Sequence, residues 1–243
     1  MQYTISARSK PPAVSIQMFV KHHFSHIPIE QIDSFFGFTE YSNLYGGRFF
    51  TTHELSRYDI RSMYKLGINY RIPLTNHYAS EKEYEENIPF LEKYYRAGNS
   101  VIITNDNLAQ WIRRDFPDYK IEASVIKNIK TVKKVEKAFK NYDTVILPMS
   151  VNNNDQLLLE MPDKDRITLF ANAGCALTCP SRICYTSVSK ANKVLDSSLH
   201  RCSQNLKDRD ILGMIDFDLD HLKSLGFERF KLLRSKPSNL TGF

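Results

Sequence analysis

The sequence has few glycines, prolines and cysteines, and it has no long apolar run. Nine glycines and ten prolines in 243 residues are too few for a linker-rich or low-complexity protein. No apolar stretch approaches the roughly 20 residues that a membrane-spanning helix needs, and the first residues lack the apolar segment of a signal peptide. We therefore expect a cytoplasmic protein that neither spans a membrane nor is secreted.

The composition is otherwise that of an ordinary globular protein. Hydrophobic residues make up 42% and charged residues 25%, and 33 Lys+Arg against 27 Asp+Glu give a formal net charge of +6. A chain of this length can bury one core of the size found in α/β barrels. Because the sequence contains neither a linker nor an internal repeat, we predict one α/β barrel domain over residues 1–243, with a cysteine-rich metal-binding insertion at 172–205.

Apolar segments alternate with amphipathic ones along most of the chain. Seven segments are predicted to be strands, at 14–20, 68–75, 100–104, 119–125, 143–150, 166–172 and 228–233. Helical patterns occur at about 53–66, 81–97, 107–116, 129–141 and 218–225. Alternation of this kind predicts a parallel sheet with right-handed crossovers. The fold class is therefore α/β, as a TIM-barrel-like parallel barrel, and the count of seven strands leaves it incomplete or open.

Polar residues follow several of the predicted strands. In a parallel barrel the carboxyl ends of the strands meet at one face, where active sites lie. Each such residue taken alone is more often part of a turn, but several of them come close to the cysteines in sequence. We therefore predict that these residues line one substrate-binding cavity: Asn76, Asn105, Ser124 and Asn172.

All four cysteines fall within 28 residues, in the order Cys175, Cys179, Cys184 and Cys202. Such confinement predicts one metal site rather than a disulfide framework, which is typical of small secreted domains. Thiolates suit both zinc and iron–sulfur clusters. The spacing, with three cysteines in one loop and a distant fourth, favours a 4Fe–4S cluster over zinc.

A resemblance to a known family rests mainly on this segment. The run NAGCALTCPSRICY, the later DFDLDHLKSLGFERFKLLR and the earlier YGGR resemble the collagenase-like peptidases of family U32, over roughly residues 41–234. The resemblance implies a TIM-barrel-like fold and a 4Fe–4S cluster bound by the four cysteines. It also implies oxygen-independent hydroxylation of a nucleobase or small aromatic substrate, with prephenate as oxygen donor, rather than proteolysis. Arg234 matches the arginine that ends the family's last strand.

Two basic features bear on partners. Arg48, in the YGGR segment at 45–48, and Arg234 are the arginines that we predict to bind a carboxylate or phosphate of the substrate. The lysine-rich helix predicted at 129–141 is typical of a solvated outer helix and also permits nucleic-acid binding.

The alternative to an enzyme acting on a small molecule or RNA is a non-enzymatic module. In that module, zinc or an iron–sulfur centre only holds the cysteine loop, and the surface binds nucleic acid or a protein partner.

Overall fold

The eight strands form a closed parallel barrel. A computed structural model of the chain describes residues 1–8, 10–179, 181–204 and 215–233. Each strand pairs with the next in chain order, and the last pairs with the first. The strands are β1 Gln2–Ser6, β2 Ile32–Phe36, β3 Asn69–Ile72, β4 Ser100–Ile103, β5 Lys120–Ala123, β6 Thr144–Ile146, β7 Ile167–Phe170 and β8 Arg229–Leu232. The predicted TIM-barrel-like fold is confirmed, and the barrel is closed rather than open.

Helices follow most of the strands and pack on the outside of the barrel. In the described ranges they are α1 Ile16–His23, α2 Arg57–Lys65, α3 Glu81–Glu86, α4 Ile88–Lys93, α5 Asp106–Asp115, α6 Val132–Ala138, α7 Asp155–Leu159, α8 Cys184–Val194 and α9 Leu219–Ser224. The capping box that the sequence indicates at Ser80 and Glu83 begins α3. Among these helices, none combines the length and the apolar character that a bilayer span requires.

The predicted strand at 14–20 is wrong, because this segment forms α1. Ser15 caps the helix by accepting a hydrogen bond from the Met18 backbone N–H. Ile16 and Phe19, three residues apart, are its buried side chains, and this spacing is that of a helix rather than of a strand. The sequence predicts seven strands instead of eight, because β1 and β2 are missed and the segment at 14–20 is counted as a strand.

The barrel interior contains two layers of side chains with different chemistry. In the lower layer Arg71 donates from Nε to Ser100 Oγ at 3.1 Å, and its Nη1 lies 3.3 Å from Glu122 Oε1 in a buried ion pair. Above it lies an apolar layer that includes Phe36, Ile102, Ile146 and Phe170. Successive inward residues of one strand belong to successive layers. The apolar layer therefore forms a floor at the carboxyl end of the barrel.

Candidate functional site

A cavity of about 170 Å³ opens at the carboxyl-terminal mouth of the barrel. Its walls include residues at or just after the ends of the strands, namely Ser6, Phe36, Ser124, Phe170 and Lys231. All four cysteines line the same cavity. This is the face of a TIM barrel at which the loops after the strands build active sites.

The elements after β7 carry the cysteines to this mouth. Cys175 begins the short 3-10 helix Cys175–Leu177, and Cys184 is the first residue of α8. Cys202 comes shortly after a further 3-10 turn, Ser197–Leu199, which packs beside α8. The cysteine loop therefore leaves the carboxyl end of β7, as the sequence predicts.

The sulfur atoms lie in different electrostatic surroundings. Cys179 Sγ accepts a hydrogen bond from the Arg182 backbone N–H at 3.3 Å and lies 3.3 Å from Ser203 Oγ. Partial burial acts to raise the pKa of the Cys179 thiol, but these hydrogen bonds outweigh it and lower the pKa. Burial, together with the negative charge of the other three thiolates, raises the pKa of Cys184 to about 12. The four thiols are therefore close enough to act on one another's charge.

Two buried asparagines hold α8 in place. Asn76 Nδ2 donates at 2.9 Å to the carbonyl oxygens of Asn43, Tyr45 and Ser189, the last of which lies on α8. Asn192, also on α8, donates to the Arg48 carbonyl at 2.9 Å. Asn76 does not line the cavity, so the structure gives this predicted site residue a positioning contact with the helix that Cys184 begins.

The other two predicted asparagines also lie outside the cavity lining. Asn105 caps α5 by accepting from the backbone N–H groups of Asn107 and Leu108. Asn172 Oδ1 accepts from the Leu233 backbone N–H at 2.9 Å, which ties the end of β7 to the end of β8. Of the predicted polar strand ends, Ser124 lines the cavity. Arg234 lies outside the described residues.

Arg48 lines the cavity, but its guanidinium already has a partner. Both of its terminal nitrogens donate to the carboxylate of Glu54 in a bidentate ion pair. Its guanidinium carbon also lies 4.1 Å from the centroid of the Phe38 ring.

Gly46 lies in the same segment, and a Cβ at this position would come within 2.1 Å of the Thr75 carbonyl oxygen. This glycine therefore allows the segment to pack closely against the chain beyond β3.

Lys231, in the middle of β8, is a cavity residue that sequence reasoning missed. Its side chain is 7% exposed, and Nζ lies 4.2 Å from the centroid of the Phe36 ring. Burial lowers the pKa of Lys231 to about 8, although the nearby charge of Glu122 opposes this shift. The signal was present in the sequence, because a lysine between Phe230 and Leu232 in a buried strand is unusual.

The charged groups that line the cavity are cations. Among the described lining residues there is no aspartate or glutamate, and the basic ones are Arg8, Arg48, Arg182 and Lys231. Arg182 Nη1 donates to Asn128 Oδ1 at 3.0 Å. Basic side chains around such a mouth attract anionic ligands and stabilise the thiolate form of the cysteines.

The four cysteines line one cavity at the barrel mouth. No three histidine, cysteine, aspartate or glutamate side chains within the described ranges are arranged to hold a single metal ion. All four cysteines are nevertheless present as thiols that line one cavity. The cavity therefore combines four thiols, basic side chains and an apolar floor.

Comparison with known proteins supports the fold. No family model matches the chain, and no curated protein matches its sequence. A solved structure described as "The Structure of the U32 Peptidase Mk0906" is similar, with a TM-score of 0.62 and 11% sequence identity. The match covers 96% of this chain and 92% of that chain. At this identity the likeness shows a shared U32-like barrel fold.

Proposed function

We propose that the protein is an iron–sulfur enzyme whose active site is the cavity at the barrel mouth. In this proposal Cys175, Cys179, Cys184 and Cys202 bind one 4Fe–4S cluster, and the substrate enters beside it. The observation that carries the proposal is that all four cysteines line the same cavity as the strand ends and Lys231. A site used only to hold the loop has no need to share a cavity with these groups.

The donor set fits a cluster better than it fits zinc. Four thiolates on one zinc at about 2.3 Å must converge to about 3.8 Å from one another. In a cubane each thiolate binds a different iron, so the sulfurs surround the cluster at larger separations. The four thiols line one cavity, and the spacing of the cysteines in the sequence favours the second arrangement.

The surrounding backbone also suits thiolate ligands. The Arg182 N–H donates to Cys179 Sγ at 3.3 Å, and the Gln204 N–H donates to Cys202 Sγ at 3.4 Å. Hydrogen bonds to cysteine sulfur stabilise the negative charge of the ligand and set the reduction potential of a cluster. The basic groups of the cavity add to this stabilisation.

A bound 4Fe–4S cluster supplies one-electron transfer or an iron that contacts substrate. The side chains of the cavity would shape the substrate site and orient the substrate. Phe36, Ile102 and Phe170 give the cavity an apolar floor that excludes water. Ser124 Oγ accepts from the Ile126 N–H at 3.3 Å, and its own proton remains available for a hydrogen bond to substrate.

The reaction class comes from the family resemblance. It is hydroxylation of a nucleobase or small aromatic molecule with an organic oxygen donor in place of molecular oxygen. An apolar, cation-lined pocket suits a flat ring that carries an anionic group. The non-enzymatic module, with zinc or a cluster only holding the loop, is the competing function.

Metal and sulfide analysis of protein purified without oxygen tests the proposal. We expect about four irons and four sulfides for each chain, with visible absorbance from thiolate-to-iron charge transfer. One zinc for each chain, with no iron and no visible absorbance, would instead support the metal-held module. Protein that contains neither metal under these conditions contradicts both functions.

A further inference from the structure

Among the described residues, the ammonium group of Lys231 has no hydrogen-bond acceptor. In the described parts of the chain, no hydrogen bond and no ion pair within 4 Å reaches Lys231 Nζ, although its side chain is only 7% exposed. Glu122 acts on it electrostatically, but this carboxylate pairs with Arg71 and accepts from Thr144 and Thr168. A buried charge of this kind is costly unless a partner compensates it.

Two aromatic rings lie near this cation. Lys231 Nζ lies 4.2 Å from the Phe36 ring centroid and 6.0 Å from the Phe170 ring centroid. Ring faces attract a cation, but they accept none of the three hydrogen bonds that an ammonium can donate. The rings therefore hold Lys231 at the cavity and leave its donors for a ligand.

Two arginines that line the cavity already have protein partners for their guanidinium groups. Arg48 is bound by Glu54, and Arg182 donates to Asn128. Lys231 sits in the upper layer of the barrel interior, beside the apolar floor, whereas these arginines come from the loops. A buried ammonium whose hydrogen bonds are not used, above an apolar floor, is complementary to a single negative charge on an apolar body.

We propose that Lys231 binds the carboxylate of a small ligand whose flat apolar part lies against Phe36 and Phe170. This assignment rests on the proposed function, because it names the ligand class of the same cavity. A carboxylate fits better than a phosphate, which carries up to two charges and needs more donors.

Calorimetric titration with benzoate tests the assignment directly. The anaerobically purified chain should bind benzoate, and Lys231→Met should weaken that binding at least about tenfold, because a hydrogen-bonded charge pair is lost. Benzyl alcohol, which has the same ring without the charge, should bind the two proteins equally. Lys164→Met is the matched control, since Lys164 also lies over a phenylalanine ring, that of Phe227, but outside the cavity.

Three outcomes overturn the assignment. They are the absence of benzoate binding to the wild-type chain, equal benzoate affinity in Lys231→Met, and a Lys231-dependent preference for phenyl phosphate over benzoate. Lys231→Gln repeats the test if the methionine variant does not fold. Iron is measured on each sample. Iron-free protein that binds benzoate through Lys231 supports the ligand assignment and refutes the cluster. Protein that contains the cluster but does not bind benzoate supports the cluster and refutes the ligand assignment.

Discussion

A Cys184→Ser variant purified without oxygen should retain less than about a tenth of the iron found in the wild-type chain. Cys184 is the most buried of the four thiols and is the first residue of α8. A hydroxyl is a harder and far less acidic ligand than a thiol, so it is a poor replacement for thiolate on iron. Because ligation energy is also folding energy, the melting temperature of the variant should fall as well. Iron content and thermal unfolding, measured on the same preparation, check both effects.

Ser203→Ala is the control for this substitution. Ser203 Oγ lies 3.3 Å from Cys179 Sγ, so the change removes a contact to a ligand and leaves all four thiols. Its iron content should match that of the wild-type chain, with a shift in reduction potential as the only large effect. Full iron content in Cys184→Ser would contradict four-cysteine ligation, whatever the control shows.

Replacing Lys231 with methionine should stabilise the ligand-free fold. Burial lowers the pKa of Lys231 to about 8, whereas an unfolded lysine has a pKa of about 10.4. At pH 7 both states hold the proton, so the folded chain bears the full cost of a buried charge. Methionine fills a similar volume between the rings and carries no charge. We expect the free energy of unfolding to rise by about 1–3 kcal/mol at pH 7.

The pH dependence of this gain follows from the same pKa values. Between about pH 8 and pH 10.4 the unfolded chain binds more protons at Lys231 than the folded chain does, so wild-type stability rises with pH in this window. The difference in the free energy of unfolding between Lys231→Met and the wild-type chain should therefore decrease from pH 7 to pH 10. Urea unfolding of both proteins at the two pH values measures it. A variant that is less stable than the wild-type chain at pH 7 would show that Lys231 has a structural role.

The sequence predicts β3 to β8 correctly, and β4 and β7 are the clearest of these strands because they have apolar residues facing both ways. In β4 and β7 the inward residues Ile102 and Phe170 are apolar, so the segment appears as one hydrophobic run. In β1 and β2 the inward residues include Thr4 and Ser34, whose hydroxyls lie 2.6 Å apart inside the barrel. Buried polar residues interrupt the apolar pattern of β1 and β2, which the sequence does not predict, although β3, β5 and β8 are predicted in spite of Arg71, Glu122 and Lys231.

The candidate site could be predicted in part. The confinement of the cysteines to 28 residues is a property of the sequence, and it was sufficient to place them at one mouth. The asparagines could not be sorted in the same way, because an amide that orients a substrate and one that binds backbone carbonyls look alike in sequence. Asn76 proved to be of the second kind. Lys231 is conspicuous in the sequence as a lysine within an apolar strand, but only the barrel register shows that its side chain points inward.

Electron paramagnetic resonance of the dithionite-reduced protein, with and without benzoate, tests whether the cysteines and Lys231 form one site. We expect a reduced-cluster signal whose shape changes when benzoate saturates the wild-type chain, because the ligand lies in the cavity that the cysteines line. The same addition should leave the signal of Lys231→Met unchanged. A wild-type spectrum with no cluster signal, or one that saturating benzoate does not alter, would contradict the account.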